Sequence, residues 1–220
     1  MNTVTVPAAI NLPIPLLTLD YLGVGLFALT GALAAARRRH DIVAFIAFAI
    51  LTGLGGGTLR DLLIGVPVFW MHASGYMFAC VGAAVLVWIV GERPWRSIAL
   101  DWFDAVGLAA YAVLGAAKAL NAGVAPPVAV VMGVLTATFG GILRDLFAGQ
   151  PSVLLRREIY ISAAVLAALI FVTATTLGFG ALGAAVVAFI MGLGLRGGAI
   201  AFHWTLPGFE TGVKIDREDA

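Results

Sequence analysis

The sequence predicts an all-α polytopic membrane protein with seven transmembrane helices, arranged as two inverted three-helix repeats and a seventh helix. Three observations predict this fold class: an extreme apolar composition, seven long apolar segments and an internal duplication. Of the 220 residues, 61% are hydrophobic and 11% are charged, and the mean hydropathy is +1.03. Soluble domains are about 45–50% apolar and about 25% charged, so this composition excludes an ordinary water-soluble domain.

The composition also excludes several other classes of protein. A chain this apolar does not stay solvated as a disordered polymer, and the single cysteine, Cys80, has no intrachain partner for a disulfide. The 13 Lys and Arg residues are balanced by 12 Asp and Glu residues and form no basic tract. Nucleic acid is therefore not an expected partner; membrane lipids are.

Seven segments approach the roughly 20 apolar residues that a bilayer-crossing helix needs. They cover residues 19–36, 42–63, 75–91, 103–120, 126–147, 159–177 and 180–197. The resulting organisation is a lead-in outside the cytoplasm (1–18), a first repeat (19–91), a cytoplasmic loop (92–102), a second repeat (103–177), a seventh helix (178–208) and a cytoplasmic tail (209–220).

Basic residues predict the orientation of these helices. With seven spans, ten Lys and Arg residues fall on the side that holds the C-terminus, and only Lys118 falls on the opposite side. Because cytoplasmic loops are enriched in Lys and Arg, the N-terminus is expected outside and the C-terminus in the cytoplasm of a bacterial inner membrane.

An internal repeat relates residues 20–83 to residues 104–167 at a constant offset of 84. Between 51–67 and 135–151, ten of seventeen positions are identical, and the pairs Asp20/Asp104 and Tyr76/Tyr160 also match. Each copy contains three spans, so the second copy enters the bilayer from the opposite side. Inverted repeats are common among transporters, whose sites lie near the membrane midplane at interrupted helices.

The densest part of the repeat is a Gly-Gly-x-x-Arg-Asp motif in the second and fifth spans. Its glycines are Gly55, Gly56, Gly57, Gly140 and Gly141. Each costs a helix roughly 1 kcal/mol relative to alanine, and together they favour a kink that frees backbone carbonyls. Freed carbonyls within a membrane need a buried or water-filled setting, and they are suitable ligands for a small cation.

The same motif places charges inside both spans: Arg60, Asp61, Arg144 and Asp145. Such residues are expensive in a bilayer and normally face the bundle interior and pair. Adjacent residues of a helix point in different directions, so the repeat symmetry predicts that Arg60 pairs with Asp145 and Arg144 with Asp61. These pairs are candidates for the wall or gate of a polar pathway. The alternative is a structural one, in which buried salt bridges and glycines only permit close helix crossing.

Other polar residues near the motif have two interpretations each. The hydroxyls of Thr52, Thr58, Thr136 and Thr138 either line a pore or bond carbonyls of their own helix. Lys118 either tunes the ion path or extends to the interface. Asp20 and Asp104 are expected as helix N-caps, with a charged vestibule as the alternative.

The doubled Gly-Gly-x-x-Arg-Asp motif, the three-plus-three-plus-one layout and the length resemble the bacterial branch of the trimeric intracellular cation channel family. The resemblance covers about residues 20–200. It implies a homotrimer in which each subunit holds its own pore between glycine-kinked helices 2 and 5. It also implies conduction of monovalent cations, chiefly potassium, with no cofactor and no bound metal beyond the permeant potassium or sodium ion. The same bacterial domain has been described as a glycine transporter.

Three functions are therefore compared: a passive potassium-permeable channel, a secondary transporter for a small zwitterion such as glycine, and a membrane scaffold. The sequence has no Thr-Val-Gly-Tyr-Gly filter, so selectivity would not use the stacked carbonyl rings of potassium channels. It has no His-Glu-x-x-His or Gly-x-Ser-x-Gly motif either, so an enzyme is not expected. The channel is the preferred interpretation.

Overall fold

The computed structural model describes residues 14–91, 97–155 and 158–207, with side chains from residue 17 in the first segment and from residue 100 in the second. This part of the chain forms seven α-helices, as predicted, and contains no β-strand. They are α1 (Ile14–Arg37), α2 (Ile42–Leu63), α3 (Gly75–Val90), α4 (Ser97–Asn121), α5 (Pro126–Phe147), α6 (Ile161–Thr176) and α7 (Ala181–Phe202). Short 3₁₀ turns follow α2 at Phe69–His72 and α5 at Val153–Leu155.

Five helices are long and apolar enough to cross a membrane, namely α1, α2, α4, α5 and α7. The third helix of each repeat, α3 or α6, is apolar but has only 16 residues. At about 1.5 Å per residue such a helix spans about 24 Å, which is less than the hydrocarbon thickness of about 30 Å.

Two helices begin earlier than the sequence predicts. Helix α1 begins at Ile14 and α4 at Ser97, whereas the predicted spans begin at residues 19 and 103. Pro15 is compatible with this start because the first helical turn does not need its missing N–H. The described helices therefore shorten the predicted lead-in and loop. Residues 1–13, 92–96 and 208–220, which hold most of the lead-in, loop and tail, lie outside the described residues.

The second helix of each repeat has well-defined ends. Asp41 caps α2 by accepting the Ala44 N–H at 2.8 Å, and α5 begins with two prolines, which suit the first turn. Each helix is followed by a glycine with positive φ, Gly65 at 71° and Gly149 at 60°. These are equivalent positions of the repeat, and glycine adopts this backbone conformation without steric cost.

Helix α4 forms the centre of the bundle and packs against α1, α5, α6 and α7. In its most apolar stretch 83% of the residues are buried, compared with 33% in α7. Helix α2 packs against both other helices of its repeat and against α5, its counterpart in the second repeat. The α2–α5 contact therefore joins the two repeats, and it carries the predicted site.

Candidate functional site

The paired glycines lie where α2 and α5 cross. A Cβ atom on Gly56 would overlap the carbonyl oxygen of Thr136, and one on Gly140 would overlap the carbonyl oxygen of Thr52. Small residues let two helix backbones approach this closely. Since residue 56 faces 136 while residue 140 faces 52, the two helices run antiparallel, as an inverted repeat requires.

Both helices remain α-helical through their glycines. The sequence predicted that these glycines free backbone carbonyls as cation ligands, but neither helix is interrupted there. The contacts instead support the alternative interpretation, in which the glycines permit a close crossing. A change of helix direction at these positions stays a prediction.

The next glycine in each motif makes room for an aromatic side chain. A Cβ on Gly57 would lie 2.6 Å from Cε1 of Phe69, and a Cβ on Gly141 would lie 2.9 Å from the hydroxyl of Tyr160. Gly55 differs, because its Cβ would meet side chains and no backbone: the flexible Leu143 at 2.8 Å and Phe139 at 4.0 Å.

A group of buried polar side chains, the first charge cluster, surrounds the C-terminal end of α2. It consists of Asp20, Arg60, Asp61, Tyr76, Tyr111 and Lys118. The Lys118 ammonium and the Tyr76 hydroxyl both donate to Asp20 Oδ2, each across 2.9 Å. The Tyr111 hydroxyl donates to the backbone carbonyl of Asp20 across 3.1 Å. These bonds tie α1 to α3 and α4.

The arginine of this cluster is fully buried and pairs with the next residue. Arg60 Nε and Nη2 donate to Asp61 Oδ1 across 2.8 and 2.6 Å. The other carboxylate oxygen of Asp61 accepts the backbone N–H of Phe69 across 2.9 Å. The aspartate thus fixes the 3₁₀ turn against the end of α2. Two cations lie near the Phe69 ring, with Lys118 Nζ 4.8 Å and Arg60 Cζ 5.8 Å from its centroid.

The second charge cluster surrounds the C-terminal end of α5, and its members are Asp104, Arg144, Asp145 and Tyr160. Arg144 donates through Nη1 to Asp104 across 2.6 Å and through Nε to Asp145 across 3.0 Å. Asp145 accepts the backbone N–H of Val153 across 2.9 Å, which repeats the contact between Asp61 and Phe69. Because α2 and α5 are antiparallel, the two clusters lie at opposite ends of this helix pair.

The predicted cross-repeat ion pairs are wrong. Each arginine contacts the aspartate that follows it, and Arg144 also contacts Asp104. The antiparallel register explains the separation, because Asp145 lies opposite position 47 of α2, about 20 Å along the helix from Arg60. The long arginine side chain also folds back to the next residue, although the Cβ atoms of adjacent helix residues point in different directions.

Three further sequence interpretations need correction. Asp20 and Asp104 are not N-caps, since both lie inside helices and are 1% and 3% exposed. Lys118 does not extend to the interface, because it is 6% exposed and paired with Asp20. These three residues are buried because each charge has a partner, which is the condition that makes such burial tolerable.

Most of the candidate hydroxyls bond their own helix. Thr58, Thr136 and Thr138 donate to the carbonyls of Leu54, Met132 and Val134, across 2.7, 2.6 and 2.9 Å. Only Thr52 among the four has a buried hydroxyl without a hydrogen-bond partner in the described structure. This hydroxyl lies against α1, where a Cβ on Gly31 would approach its oxygen to 2.6 Å.

Several members of the site were not predicted from the sequence as partners. The repeat marks Asp20, Asp104 and Tyr76 as matched positions, but it does not give their contacts. Phe69 and Tyr111 correspond instead to Val153 and Phe27 in the other copy. Self-comparison of the sequence does not reveal them, because their role belongs to one repeat only.

The second charge cluster borders a cavity of about 60 Å³, which is large enough for several water molecules. Four carboxylates and three arginines line it: Asp101, Asp104, Asp145, Glu158, Arg37, Arg144 and Arg196. Arg196 pairs with Glu158 across 2.9 Å and lies over the Tyr160 ring. The described residues contain no group of three or more His, Cys, Asp or Glu side chains arranged to hold a metal.

Comparison with known proteins identifies the family. A family model described as "Glycine transporter" matches the chain twice, at residues 17–92 and 101–176. A UPF0126 membrane protein of Vibrio cholerae is 34% identical over 197 residues, which cover 87% of this chain and 81% of the relative. The UPF0126 inner membrane protein YadS of Escherichia coli is 34% identical over 195 residues, with 87% and 94% covered.

Solved structures give the same result. The trimeric intracellular cation (TRIC) channel orthologue from Rhodobacter sphaeroides is 43% identical and has a TM-score of 0.84, with 87% of this chain and 100% of that chain covered. A second prokaryotic TRIC channel is 27% identical, with a TM-score of 0.79 and 87% and 98% coverage. These relatives are membrane proteins or channels, in agreement with the prediction that the chain is not an enzyme. The chain therefore belongs with the UPF0126 membrane proteins and to the bacterial branch of the trimeric intracellular cation channel family.

Proposed function

We propose that the protein is a passive, potassium-permeable cation channel of a bacterial inner membrane, working as a homotrimer with one ion path in each subunit. The observation that carries this proposal is the 43% identity and TM-score of 0.84 to the Rhodobacter channel over the whole of that chain. The Rhodobacter protein is a trimeric intracellular cation channel orthologue, and the E. coli relative is an inner membrane protein.

The proposed path follows the α2–α5 pair and joins the first charge cluster to the second. It passes beside the glycine crossing rather than through it, because the helix backbones are in contact there. Buried charges are expensive within a membrane unless they face protein or water. Two such clusters at opposite ends of one helix pair are therefore suitable mouths for a polar route. Arg60, Asp61, Arg144 and Asp145 would form its walls.

Charge in the second cluster favours cations over anions. The cavity has four carboxylates and three arginines in its lining, an excess of one negative charge. In the first cluster, Lys118 and Arg60 balance Asp20 and Asp61. Lys118 would tune the path by placing a positive charge beside it. The Thr52 hydroxyl, which has no hydrogen-bond partner in the described structure, would replace part of the hydration shell of potassium only if α1 moved away from it.

A secondary transporter for glycine is the second candidate, because the matching family model bears that description. One observation favours it further: Arg60 Nη1 is buried and has no hydrogen-bond partner in the described structure. An arginine with a free donor is suited to a carboxylate ligand. Nε and Nη2 of Arg60 already donate to Asp61, so a substrate carboxylate would have to compete with that aspartate.

Purified protein in planar bilayers and liposomes separates these functions. A channel gives unitary potassium currents whose reversal potential, in a potassium chloride gradient, shows preference for the cation. A transporter gives saturable uptake of labelled glycine without unitary steps, and that result would overturn the proposal. Silence in both assays, from protein that is folded and correctly assembled, would also overturn it and favour a scaffold. Native mass spectrometry tests the trimer, which should weigh three times the 22.8 kDa of one chain.

A further inference from the structure

The two ends of the α2–α5 pair are built on the same backbone plan. In each repeat an aspartate after the arginine accepts the N–H of a residue in the following 3₁₀ turn, across 2.9 Å. That residue is Phe69 at the first end and Val153 at the second. An aromatic ring and a small aliphatic side chain are thus held in equivalent places by equivalent bonds.

The difference in side-chain volume accompanies a difference in packing. Val153 borders the cavity of about 60 Å³, together with Asp104, Arg144 and Asp145. The Phe69 ring instead packs onto the backbone of α2 at Gly57, where any Cβ would approach it to 2.6 Å. It also meets the Tyr76 ring edge-on, with centroids 4.8 Å apart.

Two cations hold the ring in this place. Lys118 Nζ lies 4.8 Å from the ring centroid and Arg60 Cζ lies 5.8 Å from it, both within the range of cation–π attraction. Lys118 is also an asymmetric feature, because the equivalent position of the first repeat is Ala34. The first end therefore has a ring and a matching cation that the repeat does not dictate.

We propose that Phe69 is a plug that closes the first end of the ion path, while the smaller Val153 leaves the second end hydrated. The inference rests on the proposed channel function. Asp61 positions the plug through the backbone of Phe69, and Lys118 and Arg60 hold its ring by cation–π contacts. With the ring in place, a permeating cation would meet two fixed positive charges and an apolar surface. Outward movement of the ring would leave a polar space like that at Val153.

Replacing the plug by its own repeat counterpart gives the central test. Phe69→Val should raise the open probability in planar bilayers about tenfold where the parent is mostly closed. The lost contacts of the ring contribute a free energy that corresponds to about a tenfold change in the equilibrium between the closed and open states. Phe69→Tyr keeps the ring and should behave like the parent. Phe179→Val removes an exposed phenylalanine from the turn before α7 and should change nothing.

A second measurement does not depend on conduction. In a Cys80→Ala background, Lys118→Cys places a thiol on α4 behind the Phe69 ring, which Arg60 still holds. The reaction of this thiol with a charged methanethiosulfonate is followed in detergent. The reaction should be slow with Phe69 present and at least about tenfold faster when Phe69→Val is added, by the same energetic argument. With Cys80 retained and Lys118 intact, the buried Cys80 should stay unreactive in both Phe69 and Phe69→Val proteins, which excludes general unfolding.

The outcomes separate the plug from the channel function. If the parent conducts potassium but Phe69→Val changes neither open probability nor thiol reactivity, the plug is wrong and the channel stands. If no protein conducts, the channel function is wrong and the plug falls with it; a rise in thiol reactivity would then show only that the Phe69 ring covers position 118. If Phe69→Val does not assemble, Phe69→Leu also removes the ring, and the same comparisons then decide.

Discussion

Asp20 and Asp104 occupy equivalent positions of the repeat, yet they find their cations in different ways. Asp104 pairs with Arg144 of its own repeat, whereas Asp20 pairs with Lys118 of the other repeat. The Asp20–Lys118 bond therefore ties α1 to α4 across the duplication. Both members are almost fully buried, and a buried charge that loses its partner is strongly destabilising.

The Asp20–Lys118 bond can be tested by a double-mutant cycle. Asp20→Ala leaves the Lys118 ammonium buried without its carboxylate, and we expect a loss of about 3–5 kcal/mol in stability. Lys118→Met should be less harmful, because Tyr76 still donates to Asp20. The double variant should recover most of the loss, since neither charge then remains. Thermal unfolding of the detergent-solubilised protein measures all three. If the losses of stability of the two single variants add up in the double variant, the two residues act independently.

The partners of the motif arginines predict which charge reversals can be rescued. Arg144→Asp places a third carboxylate beside Asp104 and Asp145 and should prevent assembly. Adding Asp104→Arg restores a bridge of opposite polarity and should recover trimer yield. Arg60→Asp with Asp145→Arg, the pair that the repeat symmetry favours, should not recover, because these residues lie about 20 Å apart along the helices. Size-exclusion chromatography of expressed protein gives the readout. Rescue of the second pair and not the first would contradict the described geometry.

For individual residues, the sequence predicted which charged side chains belong to the site better than it predicted their contacts. All four charges of the repeated motif are buried at the site, because a charge within an apolar span has to face the bundle interior. Their partners depend on helix register, which the repeat alone does not determine. Phe69 was not predicted because its importance arises from a difference between the repeats.

At the level of the helices, the α2–α5 crossing depends on two equivalent glycine contacts. Gly56 touches the backbone of α5 at Thr136, and Gly140 touches the backbone of α2 at Thr52. The obstacle to a larger residue is backbone, which cannot move aside as a flexible side chain can. The sequence predicted that these glycines are important, but it favoured a kink at them over a close helix crossing. Periodicity and composition do not show how closely two helices approach.

Alanine substitution separates these glycines from their neighbour. Gly56→Ala and Gly140→Ala should each force α2 and α5 apart and cost about 1–3 kcal/mol or more, as overpacked cores do. Gly55→Ala is the matched control: it adds the same methyl group one residue away, where only the mobile Leu143 side chain must adjust. It should lie near the parent or gain slightly from the better helix propensity of alanine. Thermal unfolding orders the three variants, and equal effects at Gly55 and Gly56 would argue against the crossing.

For the whole molecule, composition and duplication were sufficient to predict the fold class. The number of helices follows from seven apolar segments, and the antiparallel α2–α5 contact agrees with an inverted repeat. The boundaries of α1 and α4 were less predictable, because Asp20 and Asp104 resemble cap residues as long as their buried partners are not known. The distribution of Lys and Arg outside the helices predicts how the protein is oriented in the membrane.

Fusion reporters test this orientation directly. Ten Lys and Arg residues are expected on the C-terminal side of the membrane and one on the other, and basic loops remain in the cytoplasm. Green fluorescent protein fused after residue 220 should therefore fluoresce, and alkaline phosphatase fused there should be inactive. Fusions in the α4–α5 turn near Gly123 should behave in the opposite way. Replacing Arg37, Arg38 and Arg39 by glutamine removes three of the ten charges and should produce a mixed population without full inversion. An active phosphatase at the C-terminus of the parent protein would reverse the assignment and place the second charge cluster, with its cavity, on the outer side of the membrane.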